Sequence, residues 1–402
     1  MKNPIILLSF VSLFERNYKR FSKIEYEKIG HDFYAIDLFR LFNIHSINTE
    51  ADRYESTNNS FLVDDISQLK SVLRSIAELY PSDITFGVFN LMPIYSNVSS
   101  QVLTVVNKTI NKYILLSEFR ASPLEWLESN NQLRYLFKNF KSTIDFFLYN
   151  RQTGLLNGAA LLSGPTANKV HSTVIKLSSI EKSIYIHHKD YDKYLSFKEQ
   201  LKNTKDLSLC DDRYVVYIDN GPIDHTDYII LKEKPYASKS YFMTMNKLFD
   251  LFENYFGYQV VIASHPNVNL EKNQENYYPR PVFEDTYLSS LLHFSEFVVT
   301  QSSNADYLAV LFDKPICITT TNELKYSNWN SRIKASSELL DLKILNADEL
   351  NEIHNDDIKS YIHKIENNRR QMIIEDLIIS SKSDQTYSWN KISSLIETHK
   401  VF

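Results

Sequence analysis

Short apolar runs that end in polar residues recur along the 402-residue chain, separated by stretches with helical spacing. Runs of this length suit buried strands, and apolar residues at i, i+3, i+4 and i+7 form one face of a helix. Strands and helices in alternation assemble into parallel sheets covered by crossover helices, which narrows the fold to the α/β class. In the first half, strands are expected at Ile5 to Phe10, Phe33 to Ile36, Ile84 to Phe89, Tyr113 to Leu116, Phe146 to Tyr149 and Ser183 to His187. Helices are expected near Tyr18 to Ile29, Asp65 to Tyr80 and Leu124 to Phe140. A polar run, Lys202 to Asp212, then separates two apolar regions and marks the expected linker.

Beyond it the alternation restarts. Strands are expected at Tyr214 to Ile218, Gln259 to Ala263, Phe297 to Thr300 and Ile316 to Thr319, with helices at Ser238 to Tyr255, Thr286 to Phe294 and Ala305 to Phe312. Phe242, Met245, Phe249, Phe252 and Phe256 recur at helical spacing and read as core packing. A late polar stretch, Asp356 to Ile379, also has a helical pattern. The expected organisation is two doubly wound domains, residues 1–207 and 208–380, with residues 381–402 forming a helix that packs back toward the first.

Composition excludes several classes. Only seven glycines are present, at positions 30, 87, 154, 158, 164, 221 and 257, and no G-x-G-x-x-G or G-x-x-x-x-G-K-[ST] passes through them. Net charge is −5, against a domain that holds nucleic acid by bulk positive charge. Two cysteines, Cys210 and Cys317, are too few for a disulfide framework or a cysteine-based zinc site and fit a reducing compartment. Glu15, Arg16, Lys19 and Arg20 follow the first apolar run without a small-residue cleavage pattern, so that run reads as a buried strand rather than a signal peptide. No run of 18 apolar residues occurs, so the expectation is a cytoplasmic protein with at most peripheral contact at the inner face of the cytoplasmic membrane.

Open α/β sheets bind ligands beyond the carboxyl ends of their strands, and two such domains would face each other across a cleft. Three polar groups follow strands of the second half. In Tyr217-Ile218-Asp219-Asn220-Gly221-Pro222 an apolar strand ends in a carboxylate that can take a proton from an attacking hydroxyl, or that caps a turn. Asp224, His225 and Asp227 follow at once and offer an alternative base or support. In Ile262-Ala263-Ser264-His265-Pro266 an imidazole stands at a strand end, able to donate to a phosphate oxygen or to serve as a turn residue. In Thr300-Gln301-Ser302-Ser303-Asn304-Ala305 a strand feeds two hydroxyls and free amides at a helix start, a phosphate site or a plain cap.

Together, Asp219, His265-Pro266 and Ser302-Ser303 in this order resemble the bacterial sialyltransferases of GT-B fold, whose domains are two Rossmann-like doubly wound units. The resemblance implies that Asp219 is the catalytic base, that His265 is a phosphate ligand and acid, and that Ser302 and Ser303 form a hydroxyl clamp. Asn220 departs from the pattern, which has a second acid there. Phe297 to Thr319 also resembles bacterial proteins that transfer sialic, legionaminic, pseudaminic or Kdo-type sugars from CMP donors; Glu15 to Phe21 and Tyr191-Asp192 resemble them more loosely.

The implied activity is inverting transfer of a 3-deoxy-ulosonic sugar from CMP to a glycan or glycolipid acceptor in surface polysaccharide synthesis, without cofactor or metal. Arg280, in a Pro279-Arg280-Pro281 turn, could pair with the phosphate or the sugar carboxylate, or be a surface arginine. Asp190-x-Asp192 after His187-His188 mimics the metal-binding acid pair of GT-A enzymes, although a role facing the cleft suits it better. The rivals are a CDP-polyol phosphotransferase, a UDP- or GDP-sugar enzyme for which Glu323 is the only nearby ribose-binding acid, and a non-catalytic glycan-binding protein.

Overall fold

The computed structural model describes residues 4–9, 23–28, 30–38, 40–41, 59–80, 86–90, 97–109, 112–117, 159–163, 182–204, 207–221, 238–265, 278–327, 329–350, 355–379, 386–388 and 390. The chain divides into two compact units, one of Met1–Arg120, Glu128–His187 and Ser380–Phe402, the other of Ala121–Leu127 and His188–Ile379.

The first unit contains strands β1 (Ile5–Ser9), β2 (Phe33–Asp37), β3 (Ser60–Leu62), β4 (Phe86–Asn90), β5 (Lys112–Ser117), β6 (Ala159–Ser163) and β7 (Lys182–Tyr185). They form one sheet in the order β3-β2-β1-β4-β5-β6-β7, and every pairing is parallel. Its described helices are α1 (Lys23–Lys28), α2 (Ile66–Leu79) and α3 (Asn97–Thr109). All five residues of β1 and of β2 are buried, as expected of strands covered on both faces. At the start of α2, the Asp65 side chain accepts from the Gln68 amide at 2.8 Å, and the Gln68 side chain accepts from the Asp64 amide at 2.9 Å. This reciprocal cap fixes where the helix begins.

The second unit repeats the plan. Its sheet runs β10-β9-β8-β11-β12-β13, with β8 (Tyr214–Ile218), β9 (Gln259–Ala263), β10 (Val282–Phe283), β11 (Val298–Thr300), β12 (Ile316–Thr320) and β13 (Ile344–Asn346). All are parallel. The helices are α4 (Lys189–Asn203), α5 (Lys239–Phe256), α6 (Leu288–Phe294), α7 (Asp306–Leu311), α8 (Asn322–Lys325), α9 (Trp329–Leu340) and α10 (Asn367–Ile373). Helix α5 is bounded as its sequence dictates, with Ser238 accepting from amides of its first turn and Gly257 closing it at φ +68°. Its buried face is Phe242, Met245, Leu248, Phe249 and Phe252.

Two expectations change. The units divide at His188 rather than in the polar run 202–212, because α4 packs into the second unit through buried Tyr191 and Phe197, the latter against His293 and Phe312. The polar run is a connection inside that unit, from α4 to β8. The stretch 356–379 is not one helix: a 3-10 segment spans Asn355–Tyr361, His363 then pairs through its backbone with Ile316, and α10 follows before a π turn at Ile374–Ile378. Pairing with the start of β12 satisfies peptide groups that a continuous helix would have kept to itself. The strand expected at 146–149 and the helix at 124–140 lie outside the described residues, as does most of 381–402.

Candidate functional site

In a sheet of this order the chain leaves the first strand in both directions, and the crevice at that reversal lies between β8 and β11. Two of the expected groups are the segments that leave these two strands, and the third leaves β9 beside them.

The β8 segment is Asp219-Asn220-Gly221. The Asp219 amide donates to the Ala263 carbonyl at 2.9 Å, extending the β8–β9 ladder by one step. The residue is 7% exposed, and its carboxylate faces the hydroxyl of Tyr278, whose oxygen lies 3.5 Å from Oδ1. Asn220 is buried and donates from Nδ2 to the Gln301 carbonyl at 3.1 Å, so it latches the β8 segment to the β11 segment. This explains the missing second acid: an ionised aspartate would set a carboxylate oxygen against a carbonyl oxygen.

Gly221 has φ +60°, a conformation that suits glycine. A Cβ there would lie 3.2 Å from Cβ and Cγ of His265 and 3.3 Å from its Nδ1. The imidazole therefore rests on the glycine, and Asp219 and His265 belong to one neighbourhood.

Beyond β11, Gln301 is fully buried and acts as a hub. Its carbonyl accepts from Asn220 and, at 3.2 Å, from Trp329 Nε1. Its side-chain oxygen accepts from the Tyr241 hydroxyl at 2.6 Å and the Tyr217 hydroxyl at 3.1 Å. Burial pushes the Tyr241 hydroxyl well above its ordinary pKa, with Tyr217 and Asp219 adding to the effect, so it stays a neutral donor. Ser302 then adopts φ +72°, and its hydroxyl accepts from Ser336 at 2.8 Å. Ser303 accepts from the Ala305 amide at 3.2 Å and donates its own amide to Asp306 Oδ2 at 3.1 Å. The expected clamp thus differs in construction. The serines precede a helix of six residues, and the amides of Ser303 and Ala305 have partners inside the loop.

Arg280 does not join the site. Its guanidinium donates to Glu253 at 3.1 and 2.8 Å, to Asn246 at 3.0 Å and to Asp250 at 2.5 Å, all on α5, and lies over the Phe249 ring. With only 5% of its side chain exposed, it fastens the β10 approach to α5. Asp224, His225 and Asp227 lie outside the described residues. Asp190 is buried in the first turn of α4, beside His188 Nδ1 at 3.2 Å. Desolvation there would raise its carboxyl, but the imidazole prevails and holds it at about 2. Among the described residues no group of three or more His, Cys, Asp or Glu side chains could hold a metal ion. No described helix is long and apolar enough to cross a membrane.

The residues that sequence reasoning missed are Gln301, Tyr217, Tyr241, Trp329 and Asp306. A signal existed for the tyrosines, since a phenol in an otherwise apolar helix face or strand must find a partner once buried.

No protein-family model matches the chain, and no curated protein does. Among solved structures it is similar to a Listeria monocytogenes protein assigned as a UDP-N-acetylglucosamine 2-epimerase, at 10% identity over 100% of this chain and 97% of that one, with a TM-score of 0.51. The fold is of the GT-B type. Two Rossmann-like α/β units with parallel sheets, as described above, are what this likeness covers. The wall teichoic acid polymerase TagF is also similar, at 14% identity over 99% of this chain and 89% of that one, with a TM-score of 0.49. A further match is UGT2 of Phytolacca americana, at 10% identity over 98% and 99% of the two chains, with a TM-score of 0.49.

Proposed function

We propose that this chain is an inverting glycosyltransferase that moves a 3-deoxy-ulosonic sugar, of nonulosonic or Kdo type, from a CMP donor to a glycan or glycolipid acceptor in surface polysaccharide synthesis. The observation that carries the reading is the latch at the β8/β11 reversal: Asn220 bonded to Gln301, with Asp219 and the Gly221–His265 contact on one side and Ser302-Ser303 on the other. In this reading Asp219 takes the proton of the acceptor hydroxyl as its oxygen bonds to the anomeric carbon. The bond from that carbon to the phosphate oxygen breaks, and its electron pair leaves on CMP. His265 and the hydroxyls of Ser302 and Ser303 meet the charge that grows on the phosphate. The buried hydroxyls beneath, of Tyr278, Tyr241 and Tyr217, keep Asp219 and Gln301 in place without adding charge.

One further observation bears on the donor. Glu323, the acid that a UDP- or GDP-sugar enzyme would use toward ribose, is held at the start of α5 by the Ser238 hydroxyl at 2.6 Å and by Ser240. A carboxylate so engaged favours a donor that does not depend on it. The test is thermal stabilisation by CMP, CDP, UDP and GDP at equal concentrations, followed by transfer from a CMP-ulosonic donor. The reading expects the largest shift with CMP and sugar transfer without phosphate transfer; a larger shift with UDP, or a polyol-phosphate product, would replace it with one of its rivals.

A further inference from the structure

The proposed chemistry leaves one buried acid without a task. Asp306 opens α7 and exposes 3% of its surface. Its Oδ1 accepts from the Thr300 hydroxyl at 2.7 Å and its Oδ2 from the Ser303 amide at 3.1 Å. Thr300 is the last residue of β11 and fully buried, and its carbonyl accepts from the Thr319 hydroxyl at 3.3 Å. A single carboxylate therefore ties the strand end to the middle of the loop that holds both serines. Ser302 lies between the two ties, in its left-handed conformation.

No cation balances this acid among the described residues. Asp190 of α4 adds like charge to it; Asp190 pairs at 3.2 Å with His188, the cap of that helix, whose ring meets Tyr307 edge-on at 5.0 Å. Helix α6 packs on α7 and brings His293, whose ring meets Phe197 and Phe312. The π turn Ile374–Ile378 also packs on α7 and contains Glu375 and Asp376. An ionised carboxylate so placed is held by two hydrogen bonds alone, and a phosphate arriving above it adds like charge.

We propose that Asp306 is the positioning residue of the serine loop and that it takes up a proton from solvent when the loop receives a phosphate, so that nucleotide binding and protonation of this acid are linked. The inference rests on the functional reading above. Both states have a hydrogen-bonding solution. The ionised form accepts from Thr300 and Ser303; in the neutral form the Ser303 amide keeps its oxygen, and the Thr300 hydroxyl turns to accept the new proton. Burial pushes the Asp306 carboxyl up to about 7, with hydrogen bonds from Thr300 and Ser303 opposing and the charge of Asp190 adding to the rise. The exchange therefore falls in the physiological range.

Calorimetric titration with CMP at pH 7, in two buffers of different protonation enthalpy, counts the protons taken up per nucleotide. The phosphate of CMP titrates near pH 6 by itself, so the quantity read is the difference between wild type and Asp306→Asn. Asparagine copies the neutral form, its carbonyl toward Ser303 and its amide toward Thr300. The expected difference is about half a proton, since a carboxyl near its midpoint is half ionised. A second variant, Thr300→Val, keeps the carboxylate but removes a donor that favours the ionised form, and is expected to move the pH midpoint of CMP affinity upward. Equal proton counts in wild type and Asp306→Asn, with CMP bound by both, or a midpoint unmoved in Thr300→Val, would overturn the inference and leave the functional reading standing. Absence of CMP binding to the wild type would overturn both.

Discussion

The two edges of the second sheet are built from the same strands and handle polarity in opposite ways. At the amino edge, residues before β9, β11 and β12 border a hollow of about 730 Å³ whose lining includes Tyr255, Tyr258, Glu296, Phe297, Pro315 and Lys359. Its charges are satisfied among themselves. Arg213 pairs with Glu296 at 2.6 Å and lies over the Tyr258 ring, and Lys359 lies over Tyr255. The carboxyl edge holds a buried carboxylate, an imidazole and two hydroxyls on segments of which two, those leaving β8 and β11, are latched by the neutral Asn220–Gln301 hydrogen bond. The contrast teaches that room for a ligand and chemistry for a ligand are separate properties. Parallel strands put their diverging segments at the carboxyl edge, and there the side chains that could act are gathered.

The contrast breaks first at Asp219. Replacing it by alanine is expected to lower transfer by about 10²- to 10⁴-fold, the range for a positioned general base, while CMP affinity changes little. A variant that keeps most of its turnover would move the base elsewhere. Asn220→Asp is expected to cost about 1–3 kcal/mol of stability, as for a buried polar group that loses its partner. That penalty should shrink in acid, where a protonated carboxyl can again donate to Gln301, and denaturant melts at pH 7 and pH 4 would show it.

Gly221→Ala sharpens the picture of the histidine. The left-handed φ costs about 1–2 kcal/mol for a residue with a Cβ, and the new methyl displaces the His265 ring. Weaker CMP binding together with a lower melting temperature is the expected result; a melting change alone would separate His265 from the nucleotide.

A smaller effect concerns pH. The folded state holds the Asp306 proton up to about 7, whereas the unfolded chain releases it at about 3.8. Between those values the native state therefore binds more protons than the unfolded state, and this group's contribution to stability declines as pH rises. The slope is at most about 1.4 kcal/mol per pH unit, and Asp306→Asn should flatten it in chemical denaturation series. At the amino edge, Arg213→Ala is expected to leave transfer and CMP affinity within about twofold of wild type, as for an exposed ion pair. A larger loss there would erase the distinction between the edges.

Much of this architecture could be read from periodicity. Strands β1 and β8 are buried along their whole length, as is β9 after its exposed Gln259, and their patterns resolve to within a residue. The elements that escaped are those in which neighbours, rather than residues, decide. Strand β10 is two residues long and exists because the Ile262 amide reaches Pro281. Strand β6 reads Ala-Ala-Leu-Leu-Ser, equally suited to a helix. At the site, Asp219, His265 and the serine pair were legible because each follows a strand. The Asn220–Gln301 latch was not, since it joins residues 81 positions apart. Arg280 was misjudged for the same reason. Its partners lie on α5, 27 to 34 positions upstream, and they engage the guanidinium from every side.

Hydrogen–deuterium exchange with and without CMP tests the account most directly, because it reports both edges of the sheet in one experiment. Slower exchange in peptides covering 219–221, 264–265 and 301–305, with no change in those covering 255–258 and 296–297, is the predicted result. Protection confined to the amino edge, or absent from the three carboxyl-edge segments, would contradict it.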